Sequence, residues 1–512
     1  MRAIGLARRS VSLAVLSALA VMQSVQAQEG KPFFTPYLGV SETFTDNVRL
    51  NEDKVSSLIT TLSPSVSTVS REGRINGSLQ AAWNISRYSS DEGRNSSFLT
   101  LNGKGRVTAV EGLAYVDLAA LSSRQILSEF GPRSADGVTG LNNLASTKTF
   151  SVTPYLTRRF GSAGTAEARY ALIDSRTDGG LGGSSDIENK QRNLSLSASD
   201  PAAFGRLGWG VDYRDQTTEN SRSRSLELQS LRANLTLRYD AELQFRLIGG
   251  KERNNYNSSR TKDATLYGVG MDWSPGPRTK VKALWEERFF GPAFDLSLSQ
   301  QQGRFVFSGN FSRNISSMGQ SALNQAAMGT YDMLMQMTSG LIPNPQERDL
   351  YVRQYMRDRQ LPEQIGVNQT VLTSSVFLSR SLNLTSGYQG SRTSLFLTGT
   401  RSERNSVSSQ EFSIGSDFEN YNKITTTSGS ILLNHSLTPL SSANATFTVS
   451  RSEGDRNASA RNSSRSRSLQ AGLSRALSKT VNGAITLRNV RGQTLANDYT
   501  ENAIIGTIGL RF

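Results

Sequence analysis

The chain contains no cysteine and a single histidine among its 512 residues. The absence of cysteine excludes disulfide bonds and thiolate metal sites. After the first 27 residues, no apolar run approaches the roughly 18 to 20 residues that a membrane-spanning helix needs, so no such helix is expected. Hydrophobic residues make up only 36% of the chain, which is little for a soluble protein with a large core. Something other than disulfides, membrane helices or an ordinary apolar core must therefore stabilise the fold.

The single histidine, His435, alternates with Ile431, Leu433 and Leu437. In a strand, this spacing places it on the apolar face. No nearby group of residues specifies a nucleophile with an orienting carboxylate, so we expect that the protein is not an enzyme. A barrel-borne hydrolase that uses His435 is kept as the less favoured alternative. No carboxylate cluster has the spacing of a calcium loop, and neither a metal site nor a cofactor is predicted.

The first 27 residues have the three parts of a secretory signal peptide. A basic start with Arg8 and Arg9 precedes an apolar stretch over residues 11–22, and small residues lead to Ala27. We expect cleavage near Ala27, which leaves residues 28–512 as the exported protein.

Basic residues outnumber acidic ones, and the net charge is +14. Loss of the three arginines of the signal peptide lowers it to +11. A strongly basic chain often binds nucleic acid, but an exported chain does not meet it, so no nucleic-acid partner is predicted. Anionic lipid headgroups, an anionic polymer or a basic lumen explain the charge better.

The clearest strand pattern runs from residue 231 to residue 247. Apolar residues alternate with Arg232, Thr236 and Arg238, and after a turn at 240–242 the alternation resumes with Gln244 and Arg246. Successive side chains of a strand point to opposite faces. Arginines do not belong in a dry core, whereas they fit a water-filled lumen whose outer face contacts lipid. The same pattern recurs at 280–286, and the predicted lumen-lining residues are Arg232, Arg238, Gln244, Arg246, Lys280 and Lys282.

This pattern repeats from residue 33 to the C-terminus. An alternating segment of about ten residues meets a tight turn, a second segment follows, and then a longer polar loop, as in transmembrane barrels. We therefore predict an all-β fold, a single-chain antiparallel transmembrane β-barrel of about 22 strands within a range of about 20 to 24. Such barrels lie in the outer membrane of Gram-negative bacteria, with its lipid as their first partner. Because the first strand begins almost at the cleavage site, no N-terminal plug domain is expected.

Aromatic residues near the predicted strand ends are candidates for girdles at the two membrane interfaces. The alternative is that aromatic residues are simply common in strands and form no girdle. The candidates are Trp83, Tyr88, Tyr155, Phe160, Trp209, Tyr213, Tyr239, Trp273, Phe289 and Phe290.

One stretch, residues 315–369, interrupts the strand pattern. Leu323, Ala327 and Leu334 recur at helical spacing, and a second helical pattern follows Pro345. We predict a partly helical loop insert on the long-loop side of the barrel. It can fold into the lumen as a constriction, pack over the mouth or move as a gate, and the sequence leaves these alternatives open.

The last residues of the chain, 502–512, again alternate, with Ile508, Leu510 and Phe512 on one apolar face. A strand that ends on an aromatic carboxylate resembles the closing strand of bacterial outer-membrane barrels. In those proteins the terminal phenylalanine belongs to the signal that the barrel assembly machinery reads. The resemblance implies that Ile508, Leu510 and Phe512 form an assembly signal and that this machinery is a partner.

The opening strand, residues 36–48, contains the step Phe44-Thr45-Asp46-Asn47. It resembles the start of the outer-membrane barrels associated with the PEP-CTERM/exosortase sorting system. That resemblance implies a link to exopolysaccharide production and export, without an enzymatic activity and without functional residues that can be carried over.

Together these patterns favour a porin-like channel of the outer membrane, associated with exopolysaccharide export or with an exosortase system. Its predicted partners beyond lipid are anionic exopolysaccharide or small anionic solutes. The alternative is a structural or adhesive barrel that does not conduct.

Overall fold

The computed structural model describes residues 33–70, 73–90, 95–161, 164–178, 187–221, 223–256, 261–316, 330–338, 342, 344–358, 376–407, 417–455 and 463–512. The predicted signal peptide, residues 1–27, lies outside the described residues. The described residues form one sheet of 22 strands.

The strands pair in chain order, and every pair is antiparallel. Their bounds are β1 Phe33–Thr45, β2 Ser57–Ser70, β3 Ile75–Tyr88, β4 Ser96–Val110, β5 Ala114–Ile126, β6 Leu144–Arg159, β7 Thr165–Asp178, β8 Ile187–Phe204, β9 Leu207–Asn220, β10 Ser223–Arg238, β11 Leu243–Asn254, β12 Lys262–Gly276, β13 Thr279–Arg288, β14 Gly291–Gln302, β15 Phe305–Ser316, β16 Phe377–Gln389, β17 Thr393–Ser406, β18 Lys423–Thr438, β19 Ser441–Gly454, β20 Ser463–Ala476, β21 Val481–Gln493 and β22 Asp498–Arg511. Pairing of β1 with β22, in which Val40 faces Ile508, closes the sheet into a barrel. The predicted all-β barrel of about 22 strands is confirmed.

The two ends of the barrel differ in the length of their connections. At one end, here the short-turn end, the connections have two to five residues. At the other, the long-loop end, they extend to the 60 residues between β15 and β16. In outer-membrane barrels the short turns face the periplasm and the long loops face the exterior.

The outer face of the wall is apolar and the inner face is polar. On β10 and β11, Leu235 and Leu247 are register partners and point outward with 61% and 62% of their surfaces exposed. The next pair, Thr236 and Arg246, points inward. A closed sheet leaves no backbone edge unpaired, and an apolar exterior matches acyl chains. The chain is therefore an outer-membrane barrel of a Gram-negative bacterium.

The proposed aromatic girdles are wrong for two of their members. Trp83 and Phe160 are exposed. Tyr88 and Tyr155 instead point into the barrel, where Tyr88 donates a hydrogen bond to the carbonyl of Val138 at 2.7 Å and Tyr155 stacks on Tyr115. Hydrogen-bonding and stacking partners inside the barrel explain why these two rings do not lie at the membrane interface.

Within the part of the chain that the structure describes, two α-helices interrupt the strands, and both belong to the connection between β15 and β16. They are α1, Thr330–Met337, and α2, Pro345–Asp358. Short 3-10 turns occur at Leu141–Asn143 and Asp417–Glu419. Within the described residues, no helix is long and apolar enough to cross a bilayer. Because β15 continues to Ser316, Ile315 belongs to the wall and not to the insert.

The face assignment predicts how arginine substitutions act on β10 and β11. Leu235→Arg should destabilise the barrel by about 2 to 4 kcal/mol, because it moves a charge toward acyl chains near the middle of the bilayer. Gln244→Arg, on the inner face beside Asp272, should change stability by less than about 1 kcal/mol. Urea unfolding of the barrel in lipid vesicles compares the two variants. Equal losses would contradict the assignment of faces.

Candidate functional site

The helices α1 and α2, here called the plug hairpin, lie inside the barrel. Leu334 of α1 and Val352 of α2 are buried against inward side chains of the wall, with Phe396 of β17 and Leu432 of β18 as the main contacts. Val306 of β15 completes this apolar cluster. Of the alternatives open at the sequence level, the hairpin therefore takes the position inside the lumen.

The hairpin reaches close to the short-turn end, although its connection begins at the long-loop end. Met337 packs on Gly387 of β16 so closely that a Cβ on that glycine would lie 2.7 Å from the methionine sulfur. The hydroxyls of Tyr355 and Ser394 are 2.7 Å apart, and Ser394 is the second residue of β17 after a short turn. Glycine at 387 thus makes room for the tip of α1.

The hairpin also contacts a second part of the wall. Nη1 of Arg353 donates to Oε1 of Gln80 on β3 at 3.4 Å. Asp349 holds the same arginine at 2.9 Å, and the guanidinium lies 4.7 Å from the centre of the Tyr331 ring. A charged side chain fixed at three points bridges the lumen from the hairpin to β3, so the plug hairpin is a constriction attached to two sides.

A second closure lies at the long-loop end, formed by residues 127–143 and here called the lid loop. Glu129 is 3% exposed and is paired with Arg133 of the same loop and Arg404 of β17. Ser452 of β19 donates to its carboxylate at 3.0 Å, and Ser464 of β20 donates to its backbone carbonyl at 2.8 Å. A loop that starts from β5 is thus fixed to strands on another part of the wall.

Further along the lid loop, Asp136 makes a second set of contacts. It pairs with Arg488 of β21, whose other nitrogen lies 2.7 Å from Glu501 of β22. Thr45, the last residue of β1, donates to Glu501 at 2.8 Å. The lid loop is therefore connected to both strands of the seam that closes the barrel.

Burial and neighbouring charges shift the pKa values of the carboxyl groups in and beside the lid loop. Burial alone would raise the pKa of Glu129, but the charges of Arg133 and Arg404 outweigh burial and lower the pKa to about 2. Burial also opposes ionisation of Asp136, and the charge of Arg488 holds its pKa below the usual range. For Asp417, which accepts hydrogen bonds from Ser128 and the Glu129 amide, burial dominates and raises the pKa. Glu129 and Asp136 are thus charged at neutral pH.

The structure places the predicted lumen-lining residues on the inner face of β10 to β13, most of them near the short-turn end. Arg238, Gln244, Asp272 and Lys282 are successive register partners and form one inward row. Lys280 lies on the same face, two residues closer to the short turn. Five of the six therefore lie on one side of the rim that faces the periplasm, and Arg232 lies deeper.

These residues differ in how their charges are used. Arg232 lies 3.3 Å from Glu286, and Arg246 lies 3.0 Å from Asp272, so both are neutralised by the neighbouring strands. Lys280 and Lys282 are exposed to the lumen and make no ion pair with any described residue. The ladder is thus partly structural, and its uncompensated charge is carried by the two lysines and by Arg238, which likewise makes no ion pair with a described residue.

Beside Arg232 the inner wall contains a cavity of about 310 Å³. Arg288 closes one side through bonds to Glu252 at 2.6 Å and to Asn314 at 2.8 Å. These bonds join β11, β13 and β15, and they make this part of the wall rigid. No group of three or more histidine and carboxylate side chains that could hold a metal ion occurs in the part of the chain that is described.

The remaining sequence candidates lie on the outside or at the seam. His435 is on the outer face, and its Nδ1 is 2.8 Å from the hydroxyl of Thr393, with no carboxylate contact among the described residues. Ile508 and Phe512 point outward, 53% and 74% exposed, and Leu510 shares their face. Their role as an assembly signal remains a prediction.

The step from Phe44 to Asn47 has a structural role at the seam. Asp46 accepts a hydrogen bond from the Asn502 amide at 2.7 Å, and the side chain of Asn47 donates to the carbonyl of Thr500 at 3.0 Å. Together with the bond from Thr45 to Glu501, these contacts join the end of β1 to β22. The short motif therefore fastens the barrel closure at its long-loop end.

Sequence reasoning missed the lid loop, its residues Glu129 and Arg133, and their partner Arg404. One signal was available, because residues 127–143 contain Phe130, Val138 and Leu141 in an otherwise largely polar loop. Apolar residues in a barrel loop indicate a loop that folds inward.

Comparisons with known proteins give fold-level similarity only. No protein-family model and no curated protein matches the chain. Among solved structures, the FrpB iron transporter from Neisseria meningitidis has a TM-score of 0.48 and 10% identity, with 93% of this chain and 81% of that chain covered. The ferric enterobactin receptor PfeA from Pseudomonas aeruginosa has a TM-score of 0.47 and 11% identity over 94% and 80%. The siderophore receptor PirA from Pseudomonas aeruginosa has a TM-score of 0.44 and 10% identity over 94% and 80%. These values are too low for a ligand or a mechanism to follow from them.

Proposed function

We propose that the protein is a gated outer-membrane channel for anionic solutes or an anionic polymer, with the plug hairpin as its gate. The observation that carries this proposal is the position of the hairpin inside the barrel, on a connection whose ends are neighbours. Ser316 and Phe377 are register partners of β15 and β16, so the plug hairpin can move without a change in the wall.

The contact surface of the plug hairpin suits repeated release. Its apolar cluster includes Met333, Met335, Met337 and Met356, and methionine adapts to different packing partners better than branched side chains do. Two of its polar attachments to the wall, by Arg353 and Tyr355, are hydrogen bonds and not ion pairs. The lid loop, by contrast, is held by buried ion pairs, so the hairpin is the easier of the two closures to displace.

The uncompensated charge near the short-turn end supports an anionic cargo that enters from the periplasm. Arg238, Lys280 and Lys282 lie there on the inner face, and only Asp272 opposes them in the same row. A ring of one charge sign raises the local concentration of the opposite ion. Exopolysaccharide export, which the resemblance of residues 36–48 implies, would be one use of such a path.

A non-conducting structural barrel is the second candidate, and the two closures of the lumen favour it. Conductance in planar bilayers separates the two functions. A gated channel shows discrete openings under applied voltage, whereas a structural barrel stays silent. His435 gives no support to a hydrolase, because within the described residues no carboxylate contacts the ring to orient it against the neighbouring Thr393 hydroxyl.

Charge reversal at the rim should change ion selectivity in an open barrel. In a variant without the insert, Lys280→Glu with Lys282→Glu should shift the reversal potential in a salt gradient toward cations, with a roughly several-fold change in the permeability ratio. The matched control is Lys190→Glu with Arg192→Glu on the outer face, which changes the same charge outside the lumen. An equal shift in the control would contradict the proposal that the rim lysines select anions.

A further inference from the structure

The outer surface near the long-loop end carries an uncompensated arginine cluster on β20 and β21, here called the arginine patch: Arg465, Arg467 and Arg491. All three are exposed on the outer face. Arg467 and Arg491 are register partners, and Arg465 faces Arg451 of β19. Like charges directly opposite each other on one sheet face destabilise the pairing, so this arrangement costs stability unless an anion lies between the strands.

No carboxylate of the described residues forms an ion pair with the arginine patch. Arg465, Arg467 and Arg491 make no ion pair with any described residue. The neighbouring Arg451 is paired with Glu453, and the nearby Asp498 accepts a hydrogen bond from Gln493 at 3.2 Å. Glu453 is therefore already paired with Arg451, and Asp498 is hydrogen-bonded to Gln493.

On the opposite side of the barrel, at the same height along the strands, outward arginines are neutralised by carboxylates. On β7 to β9, Arg176 lies 3.2 Å from both Asp174 and Glu188, and Arg192 lies 3.0 Å from Glu219. These outward cations are each paired within the protein. The outward arginines of β7 to β9 are thus neutralised within the protein, in contrast to those of the arginine patch.

The position of the patch fits a lipid headgroup. Leu469 and Leu487, the outward residues just below it, are 50% and 55% exposed and face acyl chains. Arg467 comes two residues before Leu469, a rise of about 7 Å along a strand. The arginines therefore lie just beyond the apolar belt, where phosphate groups of the outer leaflet are found.

The patch also lines a cleft large enough for such a group. The cleft has a volume of about 490 Å³, with Lys54 and Thr500 on its other side. Glu52 and Asp498 also line it, so the cleft has four basic and two acidic side chains. Arginine binds phosphate with two parallel hydrogen bonds and loses little hydration on doing so.

We propose that the arginine patch binds the phosphate groups of an anionic lipid headgroup in the outer leaflet. The lipid would carry at least two phosphate groups, since the three arginines of the patch carry more positive charge than the roughly 1.5 to 2 negative charges of one phosphate group neutralise. Binding would fix the orientation of this side of the barrel in the membrane and would relieve the repulsion between β19, β20 and β21. The inference does not depend on whether the lumen conducts.

The test uses the folded full-length barrel in detergent micelles and a fluorescent disaccharide lipid with two phosphate groups. Replacement of Arg465, Arg467 and Arg491 by serine should weaken binding by at least about tenfold. The control replaces Lys148, Arg176 and Arg192 by serine, which removes three charges from the opposite side, and should stay within about twofold of the unmodified barrel. The dephosphorylated lipid should bind the unmodified barrel as weakly as the intact lipid binds the patch variant.

Three results would overturn the proposal. They are unchanged binding in the patch variant, equal losses in both triple variants, and equal binding of the phosphorylated and dephosphorylated lipids. Full displacement of the lipid by inorganic phosphate at millimolar concentration would show that free phosphate, and not a headgroup, is the ligand. If the serine variant fails to fold, the lipid comparison on the unmodified barrel still decides, and an Arg→Lys triple variant should retain part of the affinity.

Discussion

Deletion of residues 317–376, with Ser316 joined to Phe377 by a two-residue Asn-Gly turn, should produce a permanently open pore. The two flanking residues are register partners, so a tight hairpin can connect β15 to β16 without strain. Removal of the plug hairpin takes away the apolar cluster on β17 and β18 and the bridge to β3. Conductance in planar bilayers should rise by roughly an order of magnitude or more, because porins with only about 16 to 18 strands already hold an aqueous channel.

The lid loop remains in this variant, so the size of the increase also measures how tightly that loop closes the lumen. A matched control deletes residues 457–460 from the connection between β19 and β20, which shortens another long loop and should leave conductance at the level of the unmodified barrel. Equal conductance before and after removal of the insert would show that the hairpin does not block the path.

Glu129→Gln should release the lid loop. The substitution keeps the shape of the side chain but leaves Arg133 and Arg404 buried without their counter-charge, which costs about 3 to 5 kcal/mol. Trypsin cleavage after Arg133, which is 4% exposed in the closed barrel, should become at least roughly a hundredfold faster. The control Asp178→Asn breaks the ion pair between Asp178 and Lys148. Because the side chain of Lys148 is 52% exposed and that of Asp178 is 59% exposed, this loss should change the stability by less than about 1 kcal/mol. Equal cleavage rates in the two variants would contradict the role of Glu129 as the anchor of the lid.

The ion pairs of Glu129 also predict that the stability of the closed lid loop depends on pH. Because the pKa of Glu129 is lower in the folded barrel than its ordinary value of 4.5, its stabilisation is complete above about pH 4.5 and is lost as the pH falls toward about 2. Asp136, also lowered, acts in the same direction. Asp417, whose pKa is raised, acts in the opposite direction and offsets part of the loss. The protection factors of the amides in residues 127–143, which correct for the pH dependence of intrinsic hydrogen exchange, should therefore fall on acidification, and this fall should be smaller in Glu129→Gln.

Local alternation was sufficient to predict the wall of the barrel. Leu235 and Arg246 sit on opposite faces because a strand has a period of two and one face meets lipid while the other meets water. The strand count follows from repetition of that pattern. The partly helical insert was visible because Leu323, Ala327 and Leu334 break the period of two; of these, Leu323 and Ala327 lie outside the described residues, and α1 contains Leu334.

Contacts between distant parts of the chain could not be predicted in this way. Glu129 and Arg404 are 275 positions apart, and nothing in the periodicity of either segment indicates the other. The position of the hairpin in the lumen depends on Gly387 and Phe396, whose inward faces fit Met337 and Leu334. Such fits arise from the closed barrel as a whole, so they appear only in three dimensions.

The most direct test of a lumen closed by its own insert is a cross-link between α1 and β16. A Cβ at position 387 would lie 3.6 Å from Cγ of Met337, and the sulfur of a cysteine at position 337 would lie near that Cγ. The unmodified chain has no cysteine, so no other thiol can compete. Oxidised Met337→Cys with Gly387→Cys should form a disulfide in outer membranes, whereas Met337→Cys with Leu395→Cys, on the outer face of β17, should not. The locked barrel should also lose its voltage-dependent openings and regain them on reduction. Absence of the cross-link, together with rapid labelling of the cysteine at 337 by a membrane-impermeant maleimide added outside, would place the helices over the mouth and contradict the account.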